Sequence, residues 1–279
     1  MMKKILSVLI ATLILFTTAS PIFAVEPDPG EIDALLMERG FPSEVVSRMD
    51  EMQKQMLLDN PDVGYLGSFS IQYSESPSAG NGMQPYGQIP TSDLTLTFDV
   101  TCQVDDGEFA QLLIFFYYNW NNLPFWRVQD PIALSWDETK FRLKDNTFYK
   151  IDYYSAYLIG LDQSVTWYHG VTHSYEKGYA QASPSGVSWY ADLKANVGLT
   201  LVMTELYGHG AFILVPAHGT TVYEGETSTI YAHYVHALSN LNLSIAVSSF
   251  GSFDISGLSG YDERGTQYTF TIENTFDED

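Results

Sequence analysis

From Leu94 onward the chain alternates. Leu94, Leu96, Phe98, Val100, Cys102 and Val104 fall on one side of an extended backbone, with Thr95, Thr97, Asp99 and Thr101 on the other. Period-two patterning of this kind predicts a half-buried strand. Asp105-Asp106-Gly107 is a turn signal, so the next run folds back as a hairpin. That run, Glu108 to Trp120, is apolar and aromatic on both faces, which predicts a central strand covered on both sides. Further strands are expected at Ile132 to Trp136, Thr147 to Tyr157, Ser164 to Tyr175, Tyr179 to Ala182 and Val187 to Leu193. Others follow at Val197 to Tyr207, Ala211 to Val215, Thr220 to Glu224, Thr227 to Val235, Leu241 to Phe250 and Gln267 to Glu273. Short strands separated by Gly, Pro or Asn, with no repeat of fixed period, suit a sandwich or jelly roll rather than a propeller.

The region before Asp93 reads differently. In Glu31 to Leu58 the apolar positions have helical spacing, Gly40 sits at a stop, and Ser43 stands where a second helix would be capped. Asp50 with Gln53 three residues on forms the pattern of a capping box for a third helix, which Asn60-Pro61 ends. Residues 1–24 have the three parts of a secretory signal peptide: Lys3-Lys4, an apolar run from Ile5 to Phe16, and small Ala24 before Val25. The run is shorter than the roughly 20 residues of a membrane-spanning helix, so no transmembrane anchor is expected. The Lys-Lys start has a bacterial style. The expected organisation is a signal peptide at 1–24, a short helical segment at 25–60, a Gly/Pro/Ser-rich linker or loop at 61–92, and an antiparallel β-sandwich or jelly-roll-like domain at 93–279. The fold class is mainly β, and the protein is expected to be secreted and extracellular.

Composition narrows the partners. Lys and Arg number 13 against 34 Asp and Glu, a net charge of −21. Segment 1–24 carries two of the lysines and no acid, so its removal leaves 11 basic and 34 acidic side chains, or −23. A chain of that charge is repelled by phosphates, which excludes nucleic acid as an expected partner; a glycan or another protein is compatible with it. Cys102 is the single cysteine, so no internal disulfide can form. It shares the apolar face of its strand and reads as a small buried hydrophobe.

Candidate chemistry is sparse. No lipase elbow, Walker loop, dinucleotide fingerprint or metalloprotease helix is present, so no cofactor and no metal site are expected. His169 and His173 lie four apart on a predicted strand, about 13 Å from each other, too far for one ion unless the chain bends at Gly170. His233 and His236 have opposite parity and should face opposite ways. The most unusual segment runs from Tyr117 to Arg127. Its aromatic and polar residues make Trp120, Trp126, Arg127 and Trp136 the candidate ligand-binding set, able to stack on sugar rings, with an Arg127–Asp130 pair holding the loop.

Three functions follow. The first is an extracellular binding or interaction protein without catalysis. The second is a secreted glycan-active hydrolase using Asp137 or Glu138 beside the Trp cluster, since glycosidases need paired carboxyls about 5–9 Å apart. The third is a toxin-like pore-former, suggested by Leu241, Leu243, Ile245 and Val247 alternating with small polar residues, as membrane hairpins do.

Overall fold

The computed structural model describes residues 29–71, 94–120, 129–159, 164–175, 180–192, 201–237, 244–257 and 261–273. The chain divides into two compact units, residues 1–35 and 36–279. Three short helices come first among the described residues: α1 (Pro29–Glu38), α2 (Ser43–Arg48) and α3 (Glu51–Leu58). None is long and apolar enough to cross a membrane. The capping box is present: Asp50 accepts from the Gln53 backbone N–H at 2.6 Å, and the Gln53 side chain accepts from the Asp50 N–H at 3.0 Å. Ser43 is not a cap. Pro42 occupies the N-cap position of α2, with extended backbone and no side-chain bond, and Ser43 is the first helical residue.

The other described elements are antiparallel strands. The larger sheet is built from β1 (Gly64–Ile71), β2 (Leu94–Asp105), β3 (Glu108–Trp120), β5 (Phe141–Leu143), β6 (Tyr149–Ile159), β7 (Val165–Tyr175) and β10 (Leu201–Pro216). Its order is β1-β2-β3-β10-β6-β7, with β5 pairing the end of β10. The smaller sheet has the order β14-β11-β4-β9-β8, from β4 (Gln129–Trp136), β8 (Gln181–Ser183), β9 (Gly186–Asp192), β11 (Thr227–Ala237) and β14 (Tyr261–Thr271). A separate hairpin joins β12 (Ser244–Ser249) to β13 (Ser252–Ser256).

The two sheets face each other across one core, as the alternation predicts for a sandwich. Phe98, Ile114 and Phe116 from the larger sheet pack with Leu134, Trp189 and Tyr234 from the smaller, all with no exposed surface. Cys102, 2% exposed, is part of this layer, and burial pushes its thiol up to about 12. Asp106 and Gly107 both have positive φ, 50° and 79°, the backbone a two-residue hairpin between β2 and β3 requires. Strand β3 is central, and its outward residues Leu113 and Phe115 are also fully buried. Helices α2 and α3 are tied to that outer face. Arg48 Nε donates to the buried Asp99 at 2.8 Å, the Gln53 amide donates to the Gly210 carbonyl at 3.1 Å, and Gln111 donates to Asn60 at 2.7 Å.

Several elements depart from the sequence reading: β5 and β13 fall where no strand was expected, and β14 begins at Tyr261 and not at Gln267. Residues 64–71, inside the stretch expected as a linker, form β1 and pair with β2; residues 72–93 lie outside the described set. The strands expected at Val197 to Tyr207 and Ala211 to Val215 are one strand, β10, of 16 residues. Glycine normally weakens a strand interior. Here Gly208 and Gly210 point inward, and a Cβ on either would fall against the ring of Tyr118 or Phe116. The glycines leave room for large neighbours and do not end the strand. The strand expected at Thr220 to Glu224 is only an isolated bridge between Glu108 and Tyr223.

Candidate functional site

Trp120 and Trp136 do not form a surface. Trp136 has no exposed surface and Trp120 has 3%. The Trp136 Nε1–H donates to the Pro184 carbonyl at 3.0 Å and its ring lies 6.0 Å from that of Phe212 across the sandwich. Trp120 meets the rings of Tyr234 and His236 at 6.3 and 5.1 Å. Both indoles are core, because the inward parity of β3 and β4 points them between the sheets, so neither can stack on a sugar. Trp126 and Arg127 lie outside the described residues, and with them the expected Arg127–Asp130 pair. Asp137 caps its own turn, accepting from the Thr139 N–H at 2.9 Å and the Thr139 hydroxyl at 2.6 Å; Glu138 is exposed.

The interior at this end of the sandwich carries polar groups that the sequence did not single out together. Asp130, fully buried, accepts at Oδ2 from the Tyr234 hydroxyl at 2.5 Å and lies 2.8 Å from His236 Nδ1. Burial, followed by the charge of Asp130, holds the Tyr234 hydroxyl well above its ordinary range. On the facing sheet, Lys150 Nζ donates to Asp152 Oδ2 at 2.6 Å and Tyr118 donates to Asp152 Oδ1 at 2.6 Å. Lys150 also donates across the sandwich to the Tyr190 carbonyl of β9. Each buried charge meets an opposite charge or a hydroxyl, the condition under which burial is tolerated. The arrangement locks the two sheets and is closed to solvent.

The histidine parity is as expected. His236 turns inward and is 5% exposed. His233 turns outward to Glu263, 3.2 Å away. His209 is in the middle of β10 and pairs with Asp50 at the start of α3. The side chains of His169 and His173 lie outside the described set.

The surface aromatics gather elsewhere. Helices α2 and α3 reach across the outer face of the larger sheet as far as His209. Beyond it, the outward positions of β10, β6 and β7 present Tyr207, Tyr153, Tyr157 and Trp167. Tyr153 and Tyr207 stack at 5.1 Å with 9° between planes, and Tyr157 meets Trp167 at 5.3 Å. Trp167 is 57% exposed and Tyr207 37%. Register places Ser155 and Glu205 between the two ring pairs, and Ser155 donates to Glu205 at 2.7 Å. Tyr153 and Tyr157 are four residues apart on one strand, so the ring pairs stand about 13 Å apart. The face is a row of rings, Trp167 and Tyr207 exposed and Tyr153 and Tyr157 half-buried, with the exposed Glu205 carboxylate in the middle, held from beneath by the buried Ser155 hydroxyl. Alternation along β6 and β10 could have flagged Tyr153, Tyr157 and Tyr207 as one row. It could not show that the helices stop short of them.

No family model and no curated protein matches the chain. Among solved structures, a similar chain is that of AvmM, described as catalysing macrocyclization in alchivemycin A biosynthesis. It is 14% identical over 69% of this chain and 97% of that one, with a TM-score of 0.29, and a likeness that distant carries no functional argument.

Proposed function

We propose that this is an exported binding protein without catalysis, and that its ligand is a glycan held on the outer face of β6, β7 and β10. The signal pattern of residues 1–24 supports export. The net charge of −21 turns the protein away from nucleic acid. The observation that carries the reading is the row formed by exposed Trp167 and Tyr207 with half-buried Tyr157 and Tyr153 around the exposed Glu205 carboxylate. Large solvent-facing aromatics beside polar groups mark binding surfaces, and Tyr and Trp supply rigid contact area at little entropic cost. Two ring pairs about 13 Å apart favour an oligosaccharide over a single sugar.

Retention on insoluble cell-wall and plant polysaccharides tests this. Wild type is retained, and Trp167→Ala and Tyr153→Ala are released at lower salt-independent wash stringency. If wild type is retained on none of these materials, or the two variants are retained as wild type is, the glycan face is wrong.

A further inference from the structure

The smaller sheet carries a second surface, independent of the aromatic row. The β12–β13 hairpin lies on its outer face. Ile245 and Val247 of β12 pack with Ala133 of β4 and Val235 of β11, and Phe253 and Ile255 of β13 pack on the same cluster. Strand β13 pairs with β12 on one side. Among the described residues no strand pairs with its other side. Beside that free edge, above β11 and β14, runs a groove of about 620 Å³. Phe253 and Ile255 form its wall. His233 and Gly265, opposite each other in register, form its floor. Tyr231 and Gln267 stand at one end and Glu263 at the other.

Three features specify what fits. The first is the edge. Alternate residues of a strand direct their N–H and C=O groups away from the paired neighbour, and a free edge beside a groove is the template used when an extended peptide adds a strand. The second is the floor. Gly265 has no side chain, and a Cβ there would stand 3.1 Å from His233 Nδ1, so glycine keeps the groove deep at its middle. The third is charge. The side chain of Glu263 is 52% exposed at the floor, and Asp254 is exposed on β13. Asp254 alternates with Phe253 and Ile255 and so faces away from the groove, which leaves Glu263 as its one lining carboxylate among the described residues, in a chain of net charge −21. Burial, opposed in part by Glu263, lowers the pKa of His233, so near neutral pH its imidazole does not cancel the carboxylate beside it.

We propose that this groove binds an extended, basic peptide segment of a partner protein, which adds to β13 as a third strand and directs Lys or Arg side chains to Glu263. Aromatic ring faces of Phe253 and Tyr231 receive the aliphatic stems of those side chains.

The test titrates the full-length protein with a ten-residue peptide alternating Lys and Val, and with a Glu/Val peptide of the same length, while amide hydrogen exchange is followed along the chain. The Lys/Val peptide is expected to bind and to slow exchange within residues 252–256. Glu263→Gln, on an exposed side chain that does not endanger folding, weakens binding by about fivefold, the upper range for one exposed ion pair. Gly265→Val, which fills the floor, abolishes the protection. The proposal is overturned if the Lys/Val peptide does not bind, or if it binds without slowing exchange at 252–256. It is equally overturned if the Glu/Val peptide binds as well, or if both variants behave as wild type, since attraction to the overall negative charge would produce those results.

Discussion

Lys150 and Asp152 show what a single strand pattern does and does not disclose. Along β6, Ile151 and Tyr153 alternate with Lys150 and Asp152, and hydrophobicity alone would send the charged pair to solvent. The fold turns the charges inward because each has partners there: one another, Tyr118 and the Tyr190 carbonyl. Tyr118 and Tyr190 come from strands distant in sequence, so the site was not legible. Lys150→Met leaves the Asp152 carboxylate buried without its cation and should cost about 3–5 kcal/mol in urea unfolding. Adding Asp152→Leu to that variant should restore most of the loss, and a double variant no more stable than the single would contradict the pairing. Gly208→Ala pushes a methyl group into the Tyr118 ring and should cost about 1–3 kcal/mol, read by thermal melting. The role of Cys102 was legible, because it shares the alternation of five apolar neighbours. Its thiol should resist alkylation in the native protein and react once the protein is unfolded. Trp120 and Trp136 were singled out by composition, but parity, which sends them inward, decides their place.

At the scale of elements, α2 and α3 are held to the larger sheet by polar contacts. Asp50 serves twice, capping α3 and pairing with His209. Burial pushes its carboxyl up, yet the hydrogen bond and charge of His209, with the Gln53 N–H, outweigh that and hold it below its ordinary value. A carboxyl whose pKa is lowered by folding contributes stability above its unfolded value, near 3.9, and loses it as pH falls through the folded value. Protection of the α3 amides, taken relative to intrinsic exchange at each pH, should therefore fall below about pH 4, while protection in β3 is kept. Asp50→Ala should remove that acid step and cost about 1–2 kcal/mol as a lost cap. If protection in α3 were flat from neutrality to strong acid, the contact would not matter. The capping box was legible because its residues are three apart. Strand β1 was not, since Gly64–Ile71 carries two glycines and gains its order by pairing with β2. Residues 201–216 were divided into two strands because Gly208 and Gly210 resemble a turn until Tyr118 and Phe116 are seen filling the space.

For the whole molecule, the mainly β sandwich follows from period-two alternation, and the covering of β3 on both faces follows from its unbroken apolar run. The proposed binding surface depends on what remains uncovered, which no local pattern encodes. The helices spread over β2 and β3 and end at His209, leaving the rings of β6, β7 and β10 to solvent. Trp167→Ala removes a side chain that is 57% exposed, so its effect on stability should stay within about 0.5 kcal/mol, and any change in ligand retention can be assigned to the surface and not to folding.

Hydroxyl-radical footprinting of the protein, free and bound to the polysaccharide that retains it, tests the central claim most directly. Protection is predicted at Tyr153, Tyr157, Trp167 and Tyr207, with Trp136 equally unreactive in both states. Protection confined to Trp126 and its neighbours, with the four outer rings as reactive as in the free protein, would contradict the account and move the binding face to the end of the sandwich.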